Sequence, residues 1–274
     1  MKKKQTIESV SIMRQMERMM GGAAKGSKNE YAAQDLVYDA GECADPEDAF
    51  DLLEQAVEID PTNIDAWLGL MNFAPMESDE RIEFLRKLVK TGEANLGKAY
   101  FKNNAGYFWG VLETRPYMRA RSQLALRLMD AGKIEESTVE HEEMLKLNAN
   151  DNQGIRYGLM ACYLTLQQME KARRLFKNYK DDREYSAVFA WAHVLERFLS
   201  DDRDGALKSL GHAQKQNGHA MAYFLEHRKL PKSMPDSYSM GSREEAIIAW
   251  DILKPAWKAH PEAQVWLEKN RTRT

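Results

Sequence analysis

"DPEDAFDLLEQAVEIDPTNIDAWLGL", residues 45–70, decides the fold. A small residue (Ala49), a large apolar one (Leu53) and a second small one (Ala56) recur at helical spacing. Asp60-Pro61 then ends the helix, because proline removes a donor and clashes with the preceding turn. Trp67 and Leu70 open a further apolar stripe. The outline returns in "AGKIEESTVEHEEMLKLNAND" from Ala131, with Gly132 at the turn between helices. It returns in "LQQMEKARRLFKNY" (Ala172, Phe176, Tyr179) and in "DDRDGALKSLGHAQKQNG" (Ala206, Leu210, Ala213). A helix pair with one apolar stripe cannot bury it alone, so neighbours must stack.

Aligning the small residues puts unit starts near residues 30, 64, 118, 153 and 187. The spacings are about 34, 54, 35 and 34 residues, against a period of about 34 in tetratricopeptide repeats, which the pattern resembles. The predicted fold is all-α: a right-handed α-solenoid of tetratricopeptide-like helix-turn-helix repeats. Repeats are expected at 30–63, 64–92, 118–152, 153–186 and 187–219. An insertion at 93–117 holds the aromatics Tyr100, Phe101, Tyr107, Phe108 and Trp109 and is expected to pack or to edge a groove. Residues 220–274 read as capping helices. There Ser242 and Glu245 are spaced as a capping box, and Pro255 is expected to bend or split its helix. Small residues at Ala49, Ala125, Ala172 and Ala206 let backbones approach, and Leu53, Trp67 and Leu128 fill the layers.

Among 274 residues, 43% are hydrophobic and 30% charged, enough for a core and too apolar for a disordered chain. A net charge of -3 gives no general pull toward nucleic acid. Cys43 and Cys162 are the only cysteines, far apart, so neither a disulfide framework nor a thiolate metal site is expected, and a reducing, cytoplasmic setting fits. No apolar run reaches the roughly 18 residues of a membrane span, and no secretory signal follows "MKKK". Charge is uneven. Residues 30 to 65 contain no Lys or Arg, whereas residues 1 to 28 are basic. Two solvated surfaces of opposite sign account for this, as does a basic arm folded back on the acidic repeat. Residues 1–29, with Ile12, Met16, Met19 and Met20 at helical spacing before "GGAAKGSK", read as such an arm with a linker.

"ETRPYMRAR" from Glu113, "LKLNANDNQGIRY" from Leu145, and the C-terminal "NGHAMAYFLEHRKLP" with "GSREEAIIAW" resemble bacterial relatives of the suppressor of tumorigenicity seven family. Tyr223-Phe224-Leu225, Gly241 and Glu245-Ala246-Ile247 match, while Asn217-Gly218-His219 departs where the family carries Asn-Pro-His. The resemblance implies a repeat scaffold and supplies no catalytic residues. The membrane segments of the family's animal members are missing from this chain.

No catalytic constellation stands out. "HEEML" has a single histidine, and no phosphate-loop, dinucleotide or nucleophile-elbow pattern is present. No cofactor and no metal is expected. In tetratricopeptide repeats, first helices line the concave face. That register points Arg119, Ser122, Leu126 and Met129 into a groove, then Gly154, Tyr157, Ala161 and Leu164, then Val188, Trp191, Leu195 and Phe198. One cation on an apolar, aromatic wall suits a peptide or helix with apolar anchors and an acidic group. Thr114 and Pro116 are expected to start the helix that carries Arg119. Arg121 and Arg156 fall at an inward position; they form either an internal polar ladder or a bidentate site for an acidic ligand. The expected function is a non-catalytic protein-interaction scaffold. A helical-repeat RNA binder and an accessory subunit of an enzyme complex are the alternatives.

Overall fold

A computed structural model describes residues 27–180 and 185–271. Within them the chain forms thirteen α-helices and no strand. The expected basic arm, apart from its last residues, lies outside the described residues. Two compact units divide the chain. Unit one runs to Arg127 and takes in Glu143–Asn152; unit two comprises Leu128–Glu142 and the chain from Gln153 onward.

Unit one opens with α1 (Lys28–Glu42), started by a capping box in which Ser27 Oγ accepts from the Glu30 amide and Glu30 accepts from the Ser27 amide. Asp45 caps α2 (Pro46–Ile59), with Pro46 in the first turn. Asn63 caps α3 (Ile64–Met71), its Oδ1 accepting from Ala66 at 2.9 Å. The core of these three helices is mostly alanine, with Ala33, Ala40, Ala56 and Ala66 packed around one large residue, Leu53. Ala49 and Trp67 are only half-buried.

The predicted insertion at 93–117 divides between elements. It holds the end of α4 (Ser78–Asn104), two tight 3-10 turns at Phe108–Gly110 and Leu112–Thr114, and the start of α5 (Arg115–Asp130). α4 changes direction at Gly97. Phe101 packs 4.9 Å from Phe108 and 5.3 Å from Tyr117, so Phe101 and Phe108 turn inward; Tyr107 stays exposed. The Ala149 amide donates to the Gly106 carbonyl at 3.1 Å and ties the insertion to the turn after α6 (Ile134–Leu147).

Unit two is more regular. Its helices are α7 (Ile155–Thr165), α8 (Met169–Asn178), α9 (Ala187–Leu199), α10 (Arg203–Gln216), α11 (Ala220–Phe224), α12 (Arg243–Ala259) and α13 (Pro261–Asn270). One turn recurs. After α5, the Lys133 amide donates to the Leu128 carbonyl and the Gly132 amide to Met129, with Gly132 left-handed. After α7, Gln168 donates to Tyr163 and Gln167 to Leu164, with Gln167 left-handed. After α9, Asp202 donates to Arg197 and Asp201 to Phe198, with Asp201 left-handed. Each is the paired bond that satisfies the last carbonyls of a helix. The three turns lie about 34–35 residues apart, the spacing read from the sequence. Ala172 and Ala206 are fully buried on the following helices, as small residues at a helix contact should be.

Aromatics fill this core. Trp191 stacks on Phe224 at 4.3 Å, and Phe224 meets Trp250 and Trp257 edge-on. α12 runs unbroken through Pro255, so of the expected bend or split the split does not occur. Buried Trp250, Leu253, Ala256 and Trp257 flank the proline on both sides, and this packing outweighs the missing hydrogen bond. Gly158 allows a close approach: a Cβ there would lie 2.4 Å from Nε2 of the buried His141. No helix among the described residues is long and apolar enough to cross a membrane.

Candidate functional site

The expected groove wall divides between the units. Arg119, Ser122 and Leu126 belong to unit one; Met129, Tyr157, Trp191 and Leu195 belong to unit two. Trp191 and Leu195 are fully buried, as are Ala161 and Leu164. They are core residues rather than wall, and Trp191 is covered by Phe224 and Trp257. Met129 and Val188 are nearly buried, and Leu126 is exposed. Tyr157 is half-buried and packs edge-on against Phe189.

Arg119 is already engaged. Its Nε donates to Asp65 Oδ1 at 2.8 Å and a second guanidinium nitrogen donates to Oδ2, a bidentate pair. The Asp65 side chain is only 10% exposed, so the pair neutralises a carboxylate that water barely reaches. Reversing Arg119 to Glu would set two carboxylates together and weaken unit one. Thr114 immediately precedes α5, but its hydroxyl turns back to donate to the Val111 carbonyl at 2.8 Å.

Arg121 and Arg156 each lie on tyrosine. Arg121 sits 5.7 Å above the Tyr117 ring and donates to its hydroxyl. Arg156 lies 4.3 Å from the Tyr157 ring and 5.3 Å from the Tyr179 ring, and donates to the Tyr157 hydroxyl at 3.0 Å. Guanidinium stacks well on such rings, and both side chains are half-buried.

Polar clusters in unit two serve packing. Tyr163 donates to Glu142 at 2.9 Å, and Lys171 donates to the same oxygen at 2.8 Å. Burial, helped by that bond to a carboxylate, pushes the Tyr163 phenol far above its usual range, so it stays protonated. Burial likewise pushes the Cys162 thiol up, away from the thiolate that reactivity needs. Glu245 is the busiest group. Its carboxylate accepts from the Ala187 amide at 3.0 Å, the Asn217 amide nitrogen at 2.9 Å and the Gly241 amide at 2.7 Å. Ser242 caps α12 as expected, but Glu245 completes no capping box; it spends its oxygens on three other segments. Asn217, Gly241 and Glu245, picked out in the sequence as matching or flanking a family pattern, thus meet at one buried carboxylate. Their arrangement joins helices.

An open apolar surface lies in unit one, on residues not assigned to a site from the sequence. Two adjoining hollows of about 330 and 220 Å³ share Phe50 and Phe73. Phe50 meets Phe73 edge-on at 5.5 Å, and Trp67 meets Phe84 at 6.1 Å. The Trp67 indole donates to the Pro61 carbonyl at 2.9 Å, which fixes its ring. Leu70, Met71 and Met76 complete the floor. Phe73 is 41% exposed, a large aromatic that the fold leaves uncovered. Glu47, Phe50, Asp51 and Glu54 are spaced i, i+3, i+4 and i+7, so acids flank Phe50 on one face of α2. Phe50 and Phe73 fall outside the small-large-small pattern, within residues 29 to 80, which carry no Lys or Arg.

No protein-family model matches the chain, and no curated protein sequence is similar to it.

Proposed function

We propose that the chain is a non-catalytic protein-interaction scaffold that holds a peptide or helix of a partner on the aromatic groove of unit one. One observation carries this reading: Phe50, Trp67, Phe73 and Phe84 form paired rings around hollows that the described fold does not fill. Aromatic anchors in a concave apolar site are where binding energy concentrates. The recurring left-handed turn and the helix pairs on either side of it favour a tetratricopeptide-like solenoid as the frame.

The test is affinity capture from the native cell with wild type and with a Phe50→Ala/Phe73→Ala double variant. Both rings are partly open, so the double variant is expected to keep the helical signal of the wild type. A partner retained by wild type and lost from the variant is the expected result. Identical captured sets, from a variant shown to be folded, would overturn the groove as the contact.

A further inference from the structure

We infer that the groove of unit one is built for a cationic amphipathic helix of a partner protein. The inference rests on the interaction reading above and names the partner's chemistry. Three features of the site converge on it.

The first is charge. Residues 29 to 80 carry fifteen carboxylates and no Lys, Arg or His. A run of one sign on one set of helices makes a field that draws cations and repels anions. Within the groove itself, Glu47, Asp51 and Glu54 are exposed, and none is held in an ion pair among the described residues. The first cation after Lys28 is Arg81, whose guanidinium donates to the carbonyl of Ala74, a residue that lines the groove, at 3.5 Å.

The second is periodicity. The α2 face repeats acid, aromatic, acid, acid over two turns. A helix laid on it would set apolar residues at i, i+3, i+4 and i+7 on Phe50, Phe73 and Trp67, with basic residues beside them facing Glu47, Asp51 and Glu54. The third is texture. Met71 and Met76 among the rings give a soft floor that adapts to Leu, Met or Phe anchors. The same charges disfavour nucleic acid and acidic peptides, whose anions would face the acids of α2.

The experiment uses the full chain and two fluorescein-labelled synthetic peptides of 18 residues. Both place leucine at i, i+3, i+4 and i+7; one carries lysine on its polar face, the other glutamate. Fluorescence anisotropy at low salt should show the lysine peptide binding at least about tenfold more tightly. The advantage should shrink as salt rises, since exposed charges are screened. Replacing Glu47, Asp51 and Glu54 together by Lys should reverse the preference, and Phe50→Ala/Phe73→Ala should weaken both peptides. Equal binding of the two peptides, or a preference that survives the triple Lys variant, overturns the inference. So does a full-chain variant with Lys2, Lys3, Lys4, Arg14 and Arg18 changed to Gln that binds the lysine peptide about tenfold better; the site would then belong to the chain's own basic segment. Sedimentation showing a dimer that Phe73→Ala dissolves would assign it to a second copy. If neither peptide binds while capture still depends on Phe50 and Phe73, the cationic helix falls and the interaction reading stands. If capture does not depend on those rings, that reading falls as well.

Discussion

Unit two and the first helices of unit one solve the same problem with different materials. In unit two, Trp191, Phe224 and Trp257 are fully buried, and buried acids such as Glu196 and Glu245 are met by donors from other segments. One turn closes three of its helices. In unit one, alanines make the contact of α1 with α2 and α3, and large rings are left at the rim. Small residues bring backbones together but bury little apolar area, about 25 cal/mol per Å² of what they cover. Stability therefore concentrates where aromatics fill the layer. The surface that is spared from packing lies where they do not.

The comparison breaks first at the tryptophans. Trp191→Ala removes a fully buried ring and should cost about 3–5 kcal/mol. Trp67→Ala removes a half-buried ring at the groove and should cost a third of that or less, while weakening peptide binding. Urea unfolding of both variants checks this. Equal losses would mean that Trp67 is as much a core residue as Trp191. Next is Glu245→Ala, which strands three donors; about 3 kcal/mol is expected. Glu245→Gln should recover only part of it, because its amide cannot accept from every neighbour. A loss below about 1 kcal/mol would show that these segments hold together without the hub.

The recurring turn gives a finer comparison within unit two. Gly132 is left-handed at no steric cost, while Gln167 and Asp201 adopt the same conformation with a side chain. Gly132→Ala should destabilise by about 1 kcal/mol. Gln167→Gly should do little, since the strain it relieves is offset by the freedom glycine adds to the unfolded chain. Thermal melts of the two variants distinguish them. A larger loss from Gln167→Gly than from Gly132→Ala would mean the turns are not equivalent.

Much of this frame was legible beforehand. Small residues at Ala125, Ala172 and Ala206, and the turn at Gly132, come from local constraints on how closely helices approach, so the pattern survives in one sequence. The groove register did not transfer. Whether Trp191 faces a wall or a core depends on Phe224 and Trp257, which lie tens of residues away in sequence. Arg119 read as a free cation because Asp65 lies far from it in the chain. Glu245 read as half of a local capping box because Ser242 is three residues away, whereas its true partners, Ala187 and Asn217, are distant. Periodicity reports which elements form; it does not report which face a later element will cover.

The smallest expected effect sets two carboxylates of unit two against each other. Asp202 caps α10, and the Gly205 amide that it accepts from holds its pKa below the ordinary value. Asp251 on α12 is pushed the other way: crowding of its carboxyl raises it, and the Asp130 carboxylate raises it further. The signs follow from linkage. A lowered folded-state value means that Asp202 adds stability above the ordinary aspartate range, and that this is lost as pH falls through its folded value. A raised value means that Asp251 costs nothing at low pH and opposes folding once pH rises past the ordinary range. Asp251→Asn should therefore raise the melting temperature slightly at pH 7 and leave it unchanged near pH 3. Asp202→Ala should lower it at pH 7, with the loss shrinking in acid. Much of the Asp251 residue is open to solvent, which keeps its effect small. Melting curves at the two pH values decide the matter. A stabilisation by Asp251→Asn that persists at pH 3 would mean that the benefit comes from packing, with charge playing no part.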